Sequence, residues 1–101
     1  REKAADRELM KPAPPITLEQ YNTVGTGMTY RSVRRLLGGA ASEETTPTHE
    51  VRDTGGFGSV NVFRFSVKYQ GKGQPGAHAV FRFEGNSTDP PLVDKEQAGL
   101  E

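Results

Sequence analysis

The chain has 101 residues, the commonest size for a single domain and enough for one modest core. Thirteen basic residues balance thirteen acidic ones, so there is no overall positive field to hold a polyanion, and nucleic acid is not expected as a partner. No cysteine is present, which excludes a disulfide framework, a thiolate metal centre and a cysteine nucleophile, yet leaves the compartment open. No apolar run reaches the length that crosses a bilayer. The first residue is Arg1, so a signal peptide or a lipid-bearing cysteine would lie upstream.

Residues 1–15, REKAADRELMKPAPP, are highly charged and end in prolines, with Leu9 and Met10 as their sizeable apolar groups. They read as a flexible spacer ahead of a single domain over residues 16–101. Folding signals begin at Ile16. Thr17 followed by Gln20 is a capping-box pattern, and Ile16 with Tyr21 forms a hydrophobic staple. The helix these start has little room before Gly25 and Gly27, and should end near Val24. A second short helix is capped by Thr29, stapled by Met28 and Val33, and closed by Gly38-Gly39. Its apolar residues Tyr30, Val33, Leu36 and Leu37 are expected to share one face, with Arg31, Arg34 and Arg35 on a solvated one.

Helices this short need a layer to cover. The rest of the chain supplies it. Phe63, Phe65, Val67 and Tyr69 alternate with polar residues, and so do Ala77, Ala79, Phe81 and Phe83. Both runs predict half-buried strands, joined across Gly71–Gly76. A shorter strand near Thr46–Arg52, turning at Gly55-Gly56, precedes them, and Leu92–Gln97 adds the last. The expected fold class is therefore α+β, a helix-loop-helix packed on one face of a four-stranded antiparallel sheet. Val33, Leu36 and Leu37 should meet Phe63, Phe65, Phe81 and Phe83 in its core.

The order of these pieces carries a resemblance. The Gly-Met-Thr-Tyr opening at Gly27–Tyr30, the Leu-Gly-Gly ending at Leu37–Gly39, the Gly76–Ala79 strand with Phe83, and the closing Leu92–Leu100 segment are similar to the β-lactamase inhibitor protein fold. Small secreted or lipid-anchored bacterial proteins share that fold. A more distant cousin in architecture is the small outer-membrane assembly lipoprotein family. The resemblance runs from Ile16 to Leu100. It implies the same helix pair on a four-stranded sheet, an extracytoplasmic location, and a domain that binds protein with its sheet face and hairpin loops. The inhibitor itself is a tandem of two such domains with disulfides, whereas this chain has one copy and no cysteine. Its relatives often carry a tryptophan in the central strand; here there is none, and Phe65 or Tyr69 would occupy the comparable surface.

Candidate partner-binding residues follow from both arguments. Phe57, an aromatic among the glycines of the Asp53–Ser59 loop, has the character of an interface anchor. Asp53 lies where the resembling inhibitor carries an aspartate-bearing loop. His78 alternates outward on its strand, and Tyr69 completes the set. No catalytic group, cofactor site or metal site is expected: no serine sits in a Gly-x-Ser-x-Gly elbow, His49 and His78 fall on different strands, and the glycine-rich loop lacks a phosphate-loop ending. Asn86-Ser87-Thr88 reads as a turn. Three functions remain open: a protein-binding module with an unidentified partner, an inhibitor of a β-lactamase or related hydrolase led by Asp53 and Phe57, and a structural envelope lipoprotein.

Overall fold

A computed structural model describes residues 11–53, 55–56 and 58–101. In chain order these form helices α1 (Leu18–Thr23) and α2 (Tyr30–Leu37), then strands β1 (Glu43–Glu44), β2 (Thr48–Asp53), β3 (Ser59–Gln70), β4 (Gly73–Gly85) and β5 (Leu92–Leu100). The fold is α+β with an antiparallel sheet, as the periodicity predicts. Leu9 and Met10 lie outside the described residues.

Both helices start where their caps dictate. At α1 the Gln20 amide donates to Thr17 Oγ1 at 3.1 Å and the Thr17 amide donates to Gln20 Oε1 at 2.9 Å, so two otherwise orphaned donors are satisfied reciprocally. At α2 the Ser32 amide donates to Thr29 Oγ1. That helix ends on Gly38, whose φ of 84° is left-handed, and the amides of Gly38 and Gly39 both donate to the Arg34 carbonyl. A side chain at Gly39 would collide with the Lys11 carbonyl. The reason is that Lys11–Ala13 runs alongside Ala40, with the Ala40 amide donating to Lys11 and the Ala13 amide to Ala40. The last residues of the proline-rich lead-in thus join the domain's backbone network.

The sheet is a meander in which β4 pairs with β3 and β5, while β1 and β2 share the far edge of β3. The two short strands account for the fifth element. β1 pairs Glu44 with Val67 and β2 pairs Thr48 with Arg64, so the three residues Thr45–Pro47 stand opposite only Phe65 and Ser66. One extra residue makes a bulge, and Pro47, which has no amide to donate, sits within it. The expected strand near Thr46–Arg52 is present as β2, and β1 is an additional two-residue strand ahead of the bulge. β5 also runs three residues past the expected Gln97, because Gly73 pairs with Leu100.

The core lies between the helices and the odd-numbered face of the sheet. Val33, Leu37, Ala79 and Phe81 are 0% exposed, and Val67, Tyr69, Phe83 and Leu92 are buried with them. Tyr30 meets Phe65 and Phe83, each with centroids 5.7 Å apart, and Tyr21 meets Phe81 at 5.8 Å. Each helix therefore contributes one tyrosine to an aromatic row on the strands. Two expectations are corrected here. Leu36 is 42% exposed: at 100° per residue it lies about 120° from Tyr30 around the helix, outside the stripe that Tyr30, Val33 and Leu37 share. Phe63 is only half-buried and outside the core, because its partner across β4 is Gly85 and the helices stop short of it.

Candidate protein-binding surface

The pairing of β3 with β4 ends at Phe63 and Gly85, after which the chain bends through Asn86–Asp89. β3 and β2 continue without it. Four further rungs, Glu50–Asp53 against Ser59–Val62, form a two-stranded arm projecting roughly 13 Å beyond the body of the sheet. Almost all of it is exposed. Val51 is 59% exposed and Val60 43%, and the register puts them on opposite faces, Val51 beside Asn61 and Val60 beside Arg52. At the tip Asp53 Oδ1 accepts from the Gly55 amide at 3.0 Å, an aspartate turn of the kind that starts a reversal. Gly55, Gly56 and Gly58 carry positive φ, which is why the loop needs glycine there.

The four expected site residues are not brought together. Asp53 stands at the arm's tip, where its carboxylate is used by the turn and otherwise faces solvent. Phe57 lies outside the described residues. His78 sits at the other end of the sheet, roughly 35 Å away along β3, half-buried on the outer face with Nδ1–H donating to the Gly76 carbonyl at 2.9 Å. Tyr69 has the opposite environment from an interface residue. It is 1% exposed, its hydroxyl donates to the Gly39 carbonyl at 2.7 Å, and its ring packs edge-on against Phe81. It ties the end of α2 to the sheet and is not available to a partner.

On the helix side of the arm's root the sheet floor is left bare, and a groove of about 520 Å³ opens. Its floor is Phe63, lying flat against His49 with centroids 4.5 Å apart and planes 5° from parallel, with Phe65 behind. α2 forms one wall through Tyr30, whose ring carries the Arg34 guanidinium 4.8 Å above it. The other wall is Asp89–Pro90, from the link between β4 and β5. Along the rim, the Tyr30 hydroxyl donates to Glu44 Oε1 at 2.5 Å and accepts from the Ala41 amide at 3.0 Å. Burial, reinforced by that carboxylate, pushes the Tyr30 hydroxyl up to about 12. Sequence reasoning missed this groove because it weighed His49 only as a metal ligand. The usable signal was the pairing of His49 with Phe63 and of Phe63 with Gly85, which no periodicity reveals.

The outer face of the sheet is a lattice of ion pairs. Arg64 bridges Glu84 at 2.8 Å and Glu50 at 3.3 Å, and Arg52 reaches the same two carboxylates at 3.9 and 3.5 Å. Arg82 bridges Asp94 at 2.9 Å and Glu96 at 2.8 Å. The Glu96 carboxylate, with Asp94 in support, holds the Arg82 guanidinium even more firmly protonated than usual. Between Arg64 and Arg82 lies a shallow trough of about 450 Å³ edged by Thr46, Thr48 and Val93. These charges satisfy one another and make a polar, self-complementary face.

Among the described residues no group of three or more His, Cys, Asp or Glu side chains could hold a metal ion. No described helix is long and apolar enough to cross a membrane. Compared with known proteins, the chain matches no family model, no curated protein and no solved structure.

Proposed function

We propose that this domain is a non-catalytic, extracytoplasmic protein-binding module of the β-lactamase-inhibitor-like arrangement, and that it engages its partner with the β2–β3 arm and the adjoining sheet surface. The observation that carries the reading is the arm itself. Glu50–Asp53 and Ser59–Val62 keep a regular ladder, yet among the described residues none of them joins the core. Folding therefore gives no reason for its length, whereas an interface does. Val51 and Val60 offer apolar contact on both faces, flanked by the charges of Glu50 and Arg52, the apolar centre and polar rim that interfaces use. A standard stable interface needs about 800 Å² from each partner, so the arm has to work together with a neighbouring face.

The test is a photo-crosslinking residue placed at Val51 and, as a control, at Gln97 on the opposite edge, in the protein secreted from a bacterial host that encodes it. A product formed from position 51, absent from position 97, and lost when Val60→Asp is added, is the expected result. Equal products from both positions would overturn the assignment of the arm. A second reading, inhibition of a hydrolase, is favoured by the exposed aspartate at the arm's tip. Titration of the purified domain against class A β-lactamases separates the two, since inhibition below about 1 µM would make it the better account.

A further inference from the structure

The geometry points to a second binding site, in the groove beside α2, that takes an arginine or lysine side chain from an extended segment of a protein partner. The floor is aromatic, with Phe63 and Phe65 in the lining, and the near wall is Tyr30, whose ring already carries Arg34. Ring faces attract cations, and the long aliphatic stem of an arginine or lysine covers apolar surface while its head group stays at the rim. Carboxylates stand on both sides of that rim. Glu44 is held in place by the Tyr30 hydroxyl. Asp89 is exposed and takes part in no hydrogen bond or ion pair among the described residues. The cation already at the wall, Arg34, lies on the ring of Tyr30 and shows the same chemistry at work within the fold.

A groove of about 520 Å³ has room for two or three residues of an extended chain, within the size range of ligand sites. Its aromatic floor selects for the stem, and its two carboxylates, set against the one guanidinium of Arg34, select for the charge. An acidic or purely aliphatic segment would leave Asp89 facing either like charge or desolvation without compensation. Occupancy here is independent of the arm's outer surface, so the proposal stands on the groove alone.

The probe is the blocked tripeptide acetyl-leucyl-arginyl-glycine amide, compared with its citrulline counterpart, which keeps the shape and loses the charge. In a titration followed by backbone amide shifts of the intact domain, the arginine peptide should give saturable shifts at Thr48, Phe65 and Asp89, with a dissociation constant of about 1 mM or below. Citrulline should weaken it about fivefold or more, and Asp89→Asn should weaken arginine binding by a similar factor while leaving the citrulline peptide unchanged. Phe63→Ala should weaken both peptides; its fold is checked by circular dichroism, and Asp89→Asn carries the test if that variant is unstable. Equal binding of the two peptides, shifts centred on the outer face, or no saturable shift at 5 mM would each overturn the site. Failure of the crosslink at Val51 leaves these readouts untouched, so the two readings can be lost separately.

Discussion

At the scale of single residues, two apolar side chains that the sequence places in the core have different fates. Phe81 is fully buried among Tyr21, Tyr69 and the helix side chains, so Phe81→Ala should destabilise by about 3–5 kcal/mol through lost transfer energy and the cavity left behind. Leu36→Ala, at a position 42% exposed, should cost under about 1 kcal/mol. Urea midpoints of the two variants check the contrast, and comparable losses would contradict the helix orientation. Tyr30 gives a pH signature. Its hydroxyl is raised from 10.0 to about 12 by burial and by Glu44, so the fold favours the neutral phenol. That contribution is fully present below pH 10 and is lost as pH rises from about 10 to about 12. Tyr30→Phe should be less stable at neutral pH, because Glu44 and the Ala41 amide lose their partner, yet should decline less steeply than the parent over that alkaline window. Denaturant curves at successive pH values read the difference.

At the scale of elements, the edges of the domain behave unlike one another. The lead-in reads in sequence as a spacer, and cutting before Lys11 keeps the Lys11 and Ala13 backbone contacts to Ala40 in place. Cutting after Pro14 removes the two backbone hydrogen bonds to Ala40 and the packing of Ala13 against the core. At about 1 kcal/mol per hydrogen bond, that should lower the melting temperature by several degrees, since 1 kcal/mol corresponds to about 4–8 °C in a domain of this size. Calorimetry on the two truncations distinguishes a spacer from a docked strap. α1 is secured differently: Lys95 Nζ donates to the Tyr21 carbonyl at 3.0 Å and lies 4.3 Å from the centre of the Tyr21 ring. A cation from β5 thus clamps a helix of only six residues, too short to persist unaided.

At the scale of the molecule, a three-layer logic is visible: helices, a shared aromatic core, and a charged outer sheet face, extended at one corner by the arm. The overall extents are 50 × 35 × 21 Å. Stability belongs to the first two layers. Replacing residues 51–61 by an Asn-Gly turn, which keeps the Glu50–Val62 rung, should therefore change the melting temperature by no more than about 3 °C, while removing the surface assigned to the partner. A larger drop would mean that the arm is structural. The outer ion pairs are expected to add little, because exposed pairs contribute about 0–1 kcal/mol each.

The amino-acid sequence by itself determined the local elements, since caps, staples, glycine stops and the two-residue period act within a few positions of the chain. Thr17 with Gln20, Thr29, Gly38 and the alternation from Phe63 to Tyr69 were all legible for that reason, and so was the α+β class. What the tertiary structure decided depended on residues distant in sequence. Register set Gly85 opposite Phe63 and so left a ring uncovered; beyond the bulge at Thr45–Pro47 it also added β1, a two-residue strand that the sequence does not announce. Tyr69, placed on the binding surface through the resemblance, is buried beneath the end of α2, on the face where its alternation with Phe65 and Val67 already put it. Asp53 and His78, equally polar and outward in sequence, stand at opposite ends of β3, a separation that only strand pairing could fix.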